Sequence, residues 1–391
     1  MAPDPDSSAT EPPPRTADRL LVLGFLACIG LPGLLTPLGV GRSDPARNGE
    51  AAVSAPVLRG PREIGGWLEA CQAWLRVSFG LRQTMIGWDA RMKMHLALSA
   101  SVGSPVTLGR DGWLFYLVHR GTQGVRPEVD FTPEDLERWA SWLESRQRWL
   151  AERGADFVLV VAPNKETIYP DLLPGELPAA RPRSRMDVLL NRLRAGGKVQ
   201  VVDVRPVLRD ARREASPYRR WPLYYRTDSH WNELGALLAT RAVLGELKGR
   251  FPGLDVPADR DIALASEATG AGDLARMQGL QGQLSDVRVR ATVQGRRCIF
   301  DLGGGSFAEG VETPLFSEKT LECPGAPIRR ALVLHDSMMI GMLPALAPAF
   351  ERSVWRLSTT LEKQLVEQVN PDLVLLEFVE RTLWEGAPSS T

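Results

Sequence analysis

Residues 157–162 read FVLVVA, an apolar run with no polar interruption, followed at once by Pro163-Asn164. A strand with one wet face alternates polar and apolar residues, whereas an unbroken run of this length belongs to a strand covered on both faces, as in a parallel sheet. Upstream, Thr132-Pro133-Glu134-Asp135 is a helix start, with Thr as N-cap and Pro at the first helical position. Leu136, Trp139, Leu143 and Leu150 then fall on one helical face, and Gly154 ends the helix. Downstream, the pattern predicts a helix over 183–194, a strand over 199–204 and a helix over 232–248 with Leu234, Leu237, Leu238, Val243 and Leu244 inward. It continues with a short buried strand over 331–334, a helix to about 348, a strand over 354–357, a helix over 360–369 and a last strand over 373–378. Strands alternating with helices in this way predict an α/β fold, a parallel central sheet with helices on both faces. The rhythm breaks over 252–325. There Val287, Val289, Ala291 and Val293 alternate with Arg288, Arg290, Thr292 and Gln294, which predicts an inserted antiparallel hairpin with DLGGGS (301–306) as its turn.

Ahead of this domain the composition changes. Residues 1–19 are polar and proline-rich and predict a disordered tail. Residues 20–41 carry no charge between Arg19 and Arg42, which matches the roughly 20 residues needed to cross a bilayer core. We expect a transmembrane anchor there, because no small-x-small cleavage site follows the apolar run. A Gly/Pro/Ala-rich linker over 42–62 and a helical stretch over 63–100 follow, so that 42–104 joins the anchor to a domain over 105–391. In the chain as a whole, 47 basic residues balance 47 acidic ones. No net field draws the protein onto nucleic acid, and no nucleic-acid partner is expected. The four cysteines show no zinc spacing, and no metal or cofactor is expected. Cys298 and Cys323 suit a disulfide in an oxidising compartment as well as they suit two buried thiols.

Two segments concentrate chemistry. In 332–339, LVLHDSMM, Ser337 lies where a buried strand ends and a helix begins, at the carboxyl edge of a parallel sheet where α/β folds place ligands. Backbone N–H groups at the helix start can face an oxyanion there, and the hydroxyl is a nucleophile if a base is near. A helix-capping serine would occupy the same position. In 224–231, YYRTDSHW, Asp228 and His230 stand two residues apart in a loop before a helix. A carboxylate there can accept Nδ1–H, fix the tautomer and stabilise imidazolium. A capping Asp beside an exposed His gives the same pattern. Together the segments supply a nucleophile, a base and an orienting acid. No third His or paired carboxylate nearby completes a metal site.

TDSHW (227–231) followed by a later HDS (335–337) resembles the AlgJ/AlgX group of alginate O-acetyltransferases and related SGNH-hydrolase-like proteins. GRDGWLFY (109–116), VVAPNKETIYPDLLP (160–174), GDLARM (272–277) and NPDLVLLEFVER (370–381) are similar as well, and the resemblance spans roughly residues 105–382. It implies a three-layer α/β/α SGNH-hydrolase-like domain with catalytic Asp228, His230 and Ser337, in an order permuted from ordinary SGNH esterases. The family's usual glycine before Asp-Ser is His335 here, a space-filling or ligand-contacting position. The resemblance also implies a periplasmic domain tethered to the inner membrane. Such a domain acetylates an exopolysaccharide with acetyl groups received through a membrane-bound O-acyltransferase partner. On the edge beside the first buried strand, Asn164 can donate to an oxyanion. Lys165 or Arg226 can hold an acidic sugar, although Lys165 equally suits a solvated surface. Tyr169 and Tyr225 suit sugar stacking or plain packing, and Glu380-Arg381 a local ion pair. The reading is a serine-dependent polysaccharide O-acetyltransferase. An esterase with the same residues and a non-catalytic glycan-binding subunit of a secretion complex are the alternatives.

Overall fold

The run over 157–162 forms an inner strand of a six-stranded sheet in the computed structural model, which describes residues 16–35, 54–57, 60, 64–78, 82–95, 105–117, 131–175, 183–293 and 318–387. The chain divides into two units, Met1–Met92 and Lys93–Thr391. The first holds α1 (Thr16–Leu35) and α2 (Ile64–Ser78), and α3 (Arg82–His95) begins in it. Helix α1 starts within the stretch expected to be a disordered tail, and residues 36–41 of the expected anchor lie outside the described residues. Leu20, Leu21, Leu23, Phe25 and Leu26 on α1 are exposed. Among the described residues, no helix is long and apolar enough to cross a membrane.

The second unit opens with an antiparallel pair, β1 (Val106–Leu108) and β2 (Leu114–Tyr116), joined through a turn in which Asp111 and Gly112 take left-handed φ of 55° and 73°. Then follow α4 (Pro133–Ala151), β3 (Asp156–Ala162), α5 (Lys165–Ile168), α6 (Arg185–Gly196), β4 (Gln200–Asp203), α7 (Arg205–Ala211) and α8 (Glu233–Lys248). The Thr132 side chain caps α4 as expected, accepting from Asp135 N at 3.1 Å. Next come β5 (Ile262–Gly270), α9 (Asp273–Met277), β6 (Ser285–Val293), β7 (Glu318–Glu322) and β8 (Ile328–His335). The chain closes with α10 (Leu343–Leu346), β9 (Phe350–Leu357), α11 (Lys363–Val369) and β10 (Leu373–Val379).

The sheet order is β4-β3-β10-β8-β9-β7. The first five strands are parallel, and β7 runs antiparallel along β9. The sheet is therefore mixed, a correction to the all-parallel expectation. A short strand of alternating charge such as EKTLE can close an edge that faces water on one side, which suits antiparallel pairing. Alternate residues of β3 serve opposite faces. Val158, Val160 and Ala162 pack with Leu234, Leu238 and Leu244 of α8. Phe157, Leu159 and Val161 pack with Trp139 and Leu143 of α4 and Leu189 and Leu193 of α6. Fully burying one such side chain is worth about 1.5–3 kcal/mol, so each face holds its helices firmly.

Two further expectations change. The hairpin exists, but β6 pairs with β5 ahead of it, in register from Ile262 opposite Val293 to Gly270 opposite Ser285. The proposed turn at 301–306 lies outside the described residues. The helix expected after Ser337 is broken into a 3-10 turn over Met338–Gly341, the short α10 and a second 3-10 turn over Ala347–Ala349. Pro344 and Pro348, which lack an N–H to give, account for the breaks. Cys323 is disulfide-bonded, and Cys298, its expected partner, lies outside the described residues.

Candidate active site

Strand β10 lies between β3 and β8, so the carboxyl ends of all three open on one edge of the sheet, where the strand order reverses. At the end of β8 the chain turns through Asp336. Its carboxylate accepts from Met338 N at 2.8 Å and from Val379 N at 2.7 Å, which fixes the turn to β10. The Asp336 N–H donates to Glu377 Oε2 at 3.3 Å. Burial, then the charge of Asp336, push the Glu377 carboxyl well above the usual carboxylate range. His335 is turned into the core, where its ring meets Trp355 edge-on and its Nδ1–H donates to the Asp336 carbonyl at 2.7 Å. Burial pulls its pKa down, so the ring at the family's glycine position is neutral filling. The turn leaves Ser337 at the open edge.

The second arm hangs between α8 and the β5–β6 ribbon. Asp286 of β6 accepts from Thr227 N and Thr227 Oγ1, both at 2.6 Å, and from Arg226 N at 3.1 Å. Gly272 lies so close to Asp228 that a Cβ there would sit 2.3 Å from the Asp228 Cβ. The next residue, Asp273, donates its N–H to Asp228 Oδ2 at 2.9 Å, and its carboxylate accepts from Ser229 N at 2.7 Å and Ser229 Oγ at 2.6 Å. On the other side Asn232 caps α8, accepting from Leu234 N at 3.0 Å and Gly235 N at 3.1 Å. Trp231 joins the two arms by donating its indole N–H to the Met338 carbonyl at 2.9 Å.

This scaffold brings the three residues singled out in the sequence into one line. His230 Nδ1 is 2.7 Å from Asp228 Oδ1, and His230 Nε2 is 2.8 Å from Ser337 Oγ, across a separation of 107 residues in sequence. The Asp228 carboxylate also accepts the His230 backbone N–H at 2.9 Å. Burial acts to raise the Asp228 pKa. The hydrogen bond and charge of His230, with two backbone donors, more than offset it and hold the group far below the usual carboxylate range. An ionised Asp228 places the ring proton on Nδ1 and leaves Nε2 to accept from the serine hydroxyl. Burial pulls the His230 pKa down, but Asp228 by hydrogen bond and charge, then Asp273, carry it above 6.5 against the opposing charge of Arg381. With 30% of the His230 side chain still accessible, the line opens to solvent. Of the N–H groups at the turn, that of Met338 is committed to Asp336, whereas that of Ser337 makes no hydrogen bond among the described residues.

The remaining candidates separate. Asn164 sits at the end of β3, its backbone N–H donating to Glu380 Oε2 at 3.0 Å. Its side-chain Oδ1 is buried with no hydrogen-bond partner. Lys165 turns inward and is 3% exposed, donating to the carbonyls of Tyr225 at 2.9 Å and Arg226 at 3.2 Å. Burial lowers its pKa to about 8, with Asp228, Asp273 and Asp286 opposing. It is a strut under the Asp–His arm and does not lie on the solvated surface. Arg226 stays partly exposed and donates to the Ser285 carbonyl at 3.0 Å. Tyr225 is half-buried, and burial raises its pKa to about 12. Tyr169 packs, its hydroxyl accepting from Leu223 N at 2.9 Å. Glu380, expected beside Arg381 as a local ion pair, accepts from Asn164 N at 3.0 Å and Thr167 Oγ1 at 2.6 Å. Reasoning from sequence neighbours missed Asp273 and Asp286, which arrive from distant segments. The only signal for Asp273 was its place in GDLARM. Ligand atoms of Asp228, His230 and Asp273 lie within 4.8 Å of one another, so a second carboxylate does stand beside the histidine, contrary to the expectation of none.

A family model described as the SGNH hydrolase-like domain of the acetyltransferase AlgX matches residues 106–298, a span that holds Asp228, His230 and Asp273 and ends before Ser337. The probable alginate O-acetylase AlgJ of Pseudomonas aeruginosa is 28% identical over 265 residues. This is an AlgJ/AlgX-like chain. The alignment with that curated relative covers 66% of the AlgJ/AlgX-like chain and 61% of the relative's own length. Two solved structures share its fold. Bacillus cereus PatB1 is 18% identical with a TM-score of 0.52, over 70% of this chain and 95% of that one. A DHHW family protein from Eubacterium siraeum is 15% identical with a TM-score of 0.51, over 74% and 93%.

Proposed function

We propose that this protein is an O-acetyltransferase that moves acetyl groups onto hydroxyls of an exopolysaccharide through an acyl-enzyme on Ser337. The observation that carries the reading is the line from Ser337 Oγ through the His230 ring to Asp228, with contacts of 2.8 and 2.7 Å. In the first half, Ser337 Oγ attacks the acetyl carbonyl of the donor while its proton passes to His230 Nε2. Imidazolium then protonates the departing group, and acetyl remains as an ester on Ser337. In the second half His230 takes the proton of a sugar hydroxyl, the sugar oxygen attacks the ester, and Ser337 recovers its proton. The Ser337 N–H and the Asn164 side chain are the proposed oxyanion donors. Arg226 and Tyr225, beside the arm, are proposed to contact the glycan. The similarity to a probable alginate O-acetylase supports an acidic exopolysaccharide as acceptor, and a membrane-bound O-acyltransferase is the proposed acetyl source. The uncharged stretch over 20–41 supports a tether to the inner membrane with the second unit in the periplasm. Extraction of the full-length protein from membranes by alkaline carbonate would refute the tether.

The deciding experiment supplies an activated acetyl ester and a glycan acceptor, and follows both acetylated glycan and free acetate. Glycan acetylation, with a 42-Da adduct (about one acetyl group, by the acyl-enzyme chemistry) on the peptide containing Ser337, is the expected result. Free acetate alone would make the protein an esterase, and neither product together with no labelling of Ser337 by a phosphonate would leave a glycan-binding subunit.

A further inference from the structure

Asp273 has no part in the relay from Ser337 to Asp228, yet its position is hard to explain as surface chemistry. Both carboxylate oxygens are used at short range, on Ser229 N and Ser229 Oγ, while its own N–H fixes Asp228 Oδ2. One residue thus clamps both the orienting acid and the residue between acid and base. Its Oδ2 stands 3.7 Å from His230 Nδ1, beside the 2.7 Å contact of Asp228. The close approach of Gly272 to Asp228 allows this, because any side chain at 272 would push the two carboxylates apart.

We propose that Asp273 is a positioning residue of the site, which holds the Asp228–His230 turn and sets a second carboxylate beside His230 Nδ1 so that two acids share the positive charge formed on the ring. The inference rests on the function proposed above. During either half-reaction the proton that leaves an oxygen arrives at Nε2, and the ring becomes a cation. Asp228 accepts the hydrogen bond from Nδ1–H, and Asp273 adds attraction at longer range without a proton of its own to exchange. The charges felt at the ring are those of Asp228, Asp273 and the opposing Arg381. Lys165 lies beneath the same pair of acids and feels both. Burial and the neighbouring Asp228 raise the Asp273 pKa, as expected for two acids brought to one ring.

The test is the Asp273→Asn variant of the full-length protein, with Asp273→Ser as a second neutral replacement should the first melt early. NMR titration of the His230 ring reads the charge effect without any turnover, and the pH profile of kcat/KM reads it in transfer. Removal of one negative charge near the ring should move the His230 titration and the acid limb of the profile down by roughly half a unit to one unit. A titration that stays in place in a folded variant overturns the inference, as does unfolding of both variants, which would make Asp273 a residue of the fold alone. Absence of transfer in the wild type is a separate failure, that of the function, and leaves the NMR result readable.

Discussion

The ends of β8 and β3 open on the same edge of the sheet, and they treat their polar residues in opposite ways. At the end of β8 the turn is held by Asp336, which uses its carboxylate on the N–H groups of Met338 and Val379. The next residue, Ser337, keeps its hydroxyl for His230. At the end of β3 the backbone is held from outside, by Glu380 on Asn164 N, and the charged residue that follows is drawn inward. Lys165 spends two of its N–H groups on carbonyls of the Asp–His arm. The difference teaches that position at a carboxyl edge does not make a residue a site residue. What matters is whether the turn is already satisfied by its neighbours, because a side chain needed for backbone hydrogen bonds is not free for substrate.

The comparison breaks most visibly at Ser337. Ser337→Ala should reduce transfer by about 10³-fold or more with the melting temperature unchanged, since the hydroxyl carries no turn of the fold. Loss of melting temperature with activity retained would reverse the roles of the two strand ends. Asn164→Ala should cost about 10²-fold in kcat if its amide serves the oxyanion. An unchanged kcat would reduce the contribution of β3 to scaffolding. Lys165→Ala should be chiefly a stability variant, losing about 2 kcal/mol in denaturant melts, because two inward carbonyls lose a charged donor. An intact melt with a raised KM for an acidic glycan would show that Lys165 binds substrate after all. The smallest effect is on pH. In the proposed reaction His230 is a neutral base, and with its pKa raised above 6.5, kcat/KM should climb as pH passes through a value above 6.5 and level off beyond it. A limb below 6.5 would mean that Arg381 and burial outweigh the two acids.

Much of this arrangement was legible because it depends on short-range patterns. The apolar run at 157–162, the cap at Thr132 and the alternating elements each record one local requirement, and the sheet follows from their sum. Asp228 and His230 were legible for the same reason, being two residues apart, and Ser337 because it ends a buried strand. The residues that hold them were not. Asp286 and Asp273 reach the arm from 59 and 45 residues away, and an isolated aspartate in a loop or on a strand has no period to betray it. Strand β5, written IALASEATG, is largely exposed, so its pairing with β6 lacks the apolar alternation that marks a buried face. The burial of Lys165 was not legible because a lysine is rarely buried unless paired, and here backbone carbonyls supply the pairing.

The bond from the Trp231 indole to the Met338 carbonyl also makes the site observable. That proton lies at the seam between segments 107 residues apart, on a side chain only 3% exposed. It can exchange with solvent only when the seam opens. Its resonance is therefore a clock, whose rate reports how often Ser337 and His230 part company in the resting protein.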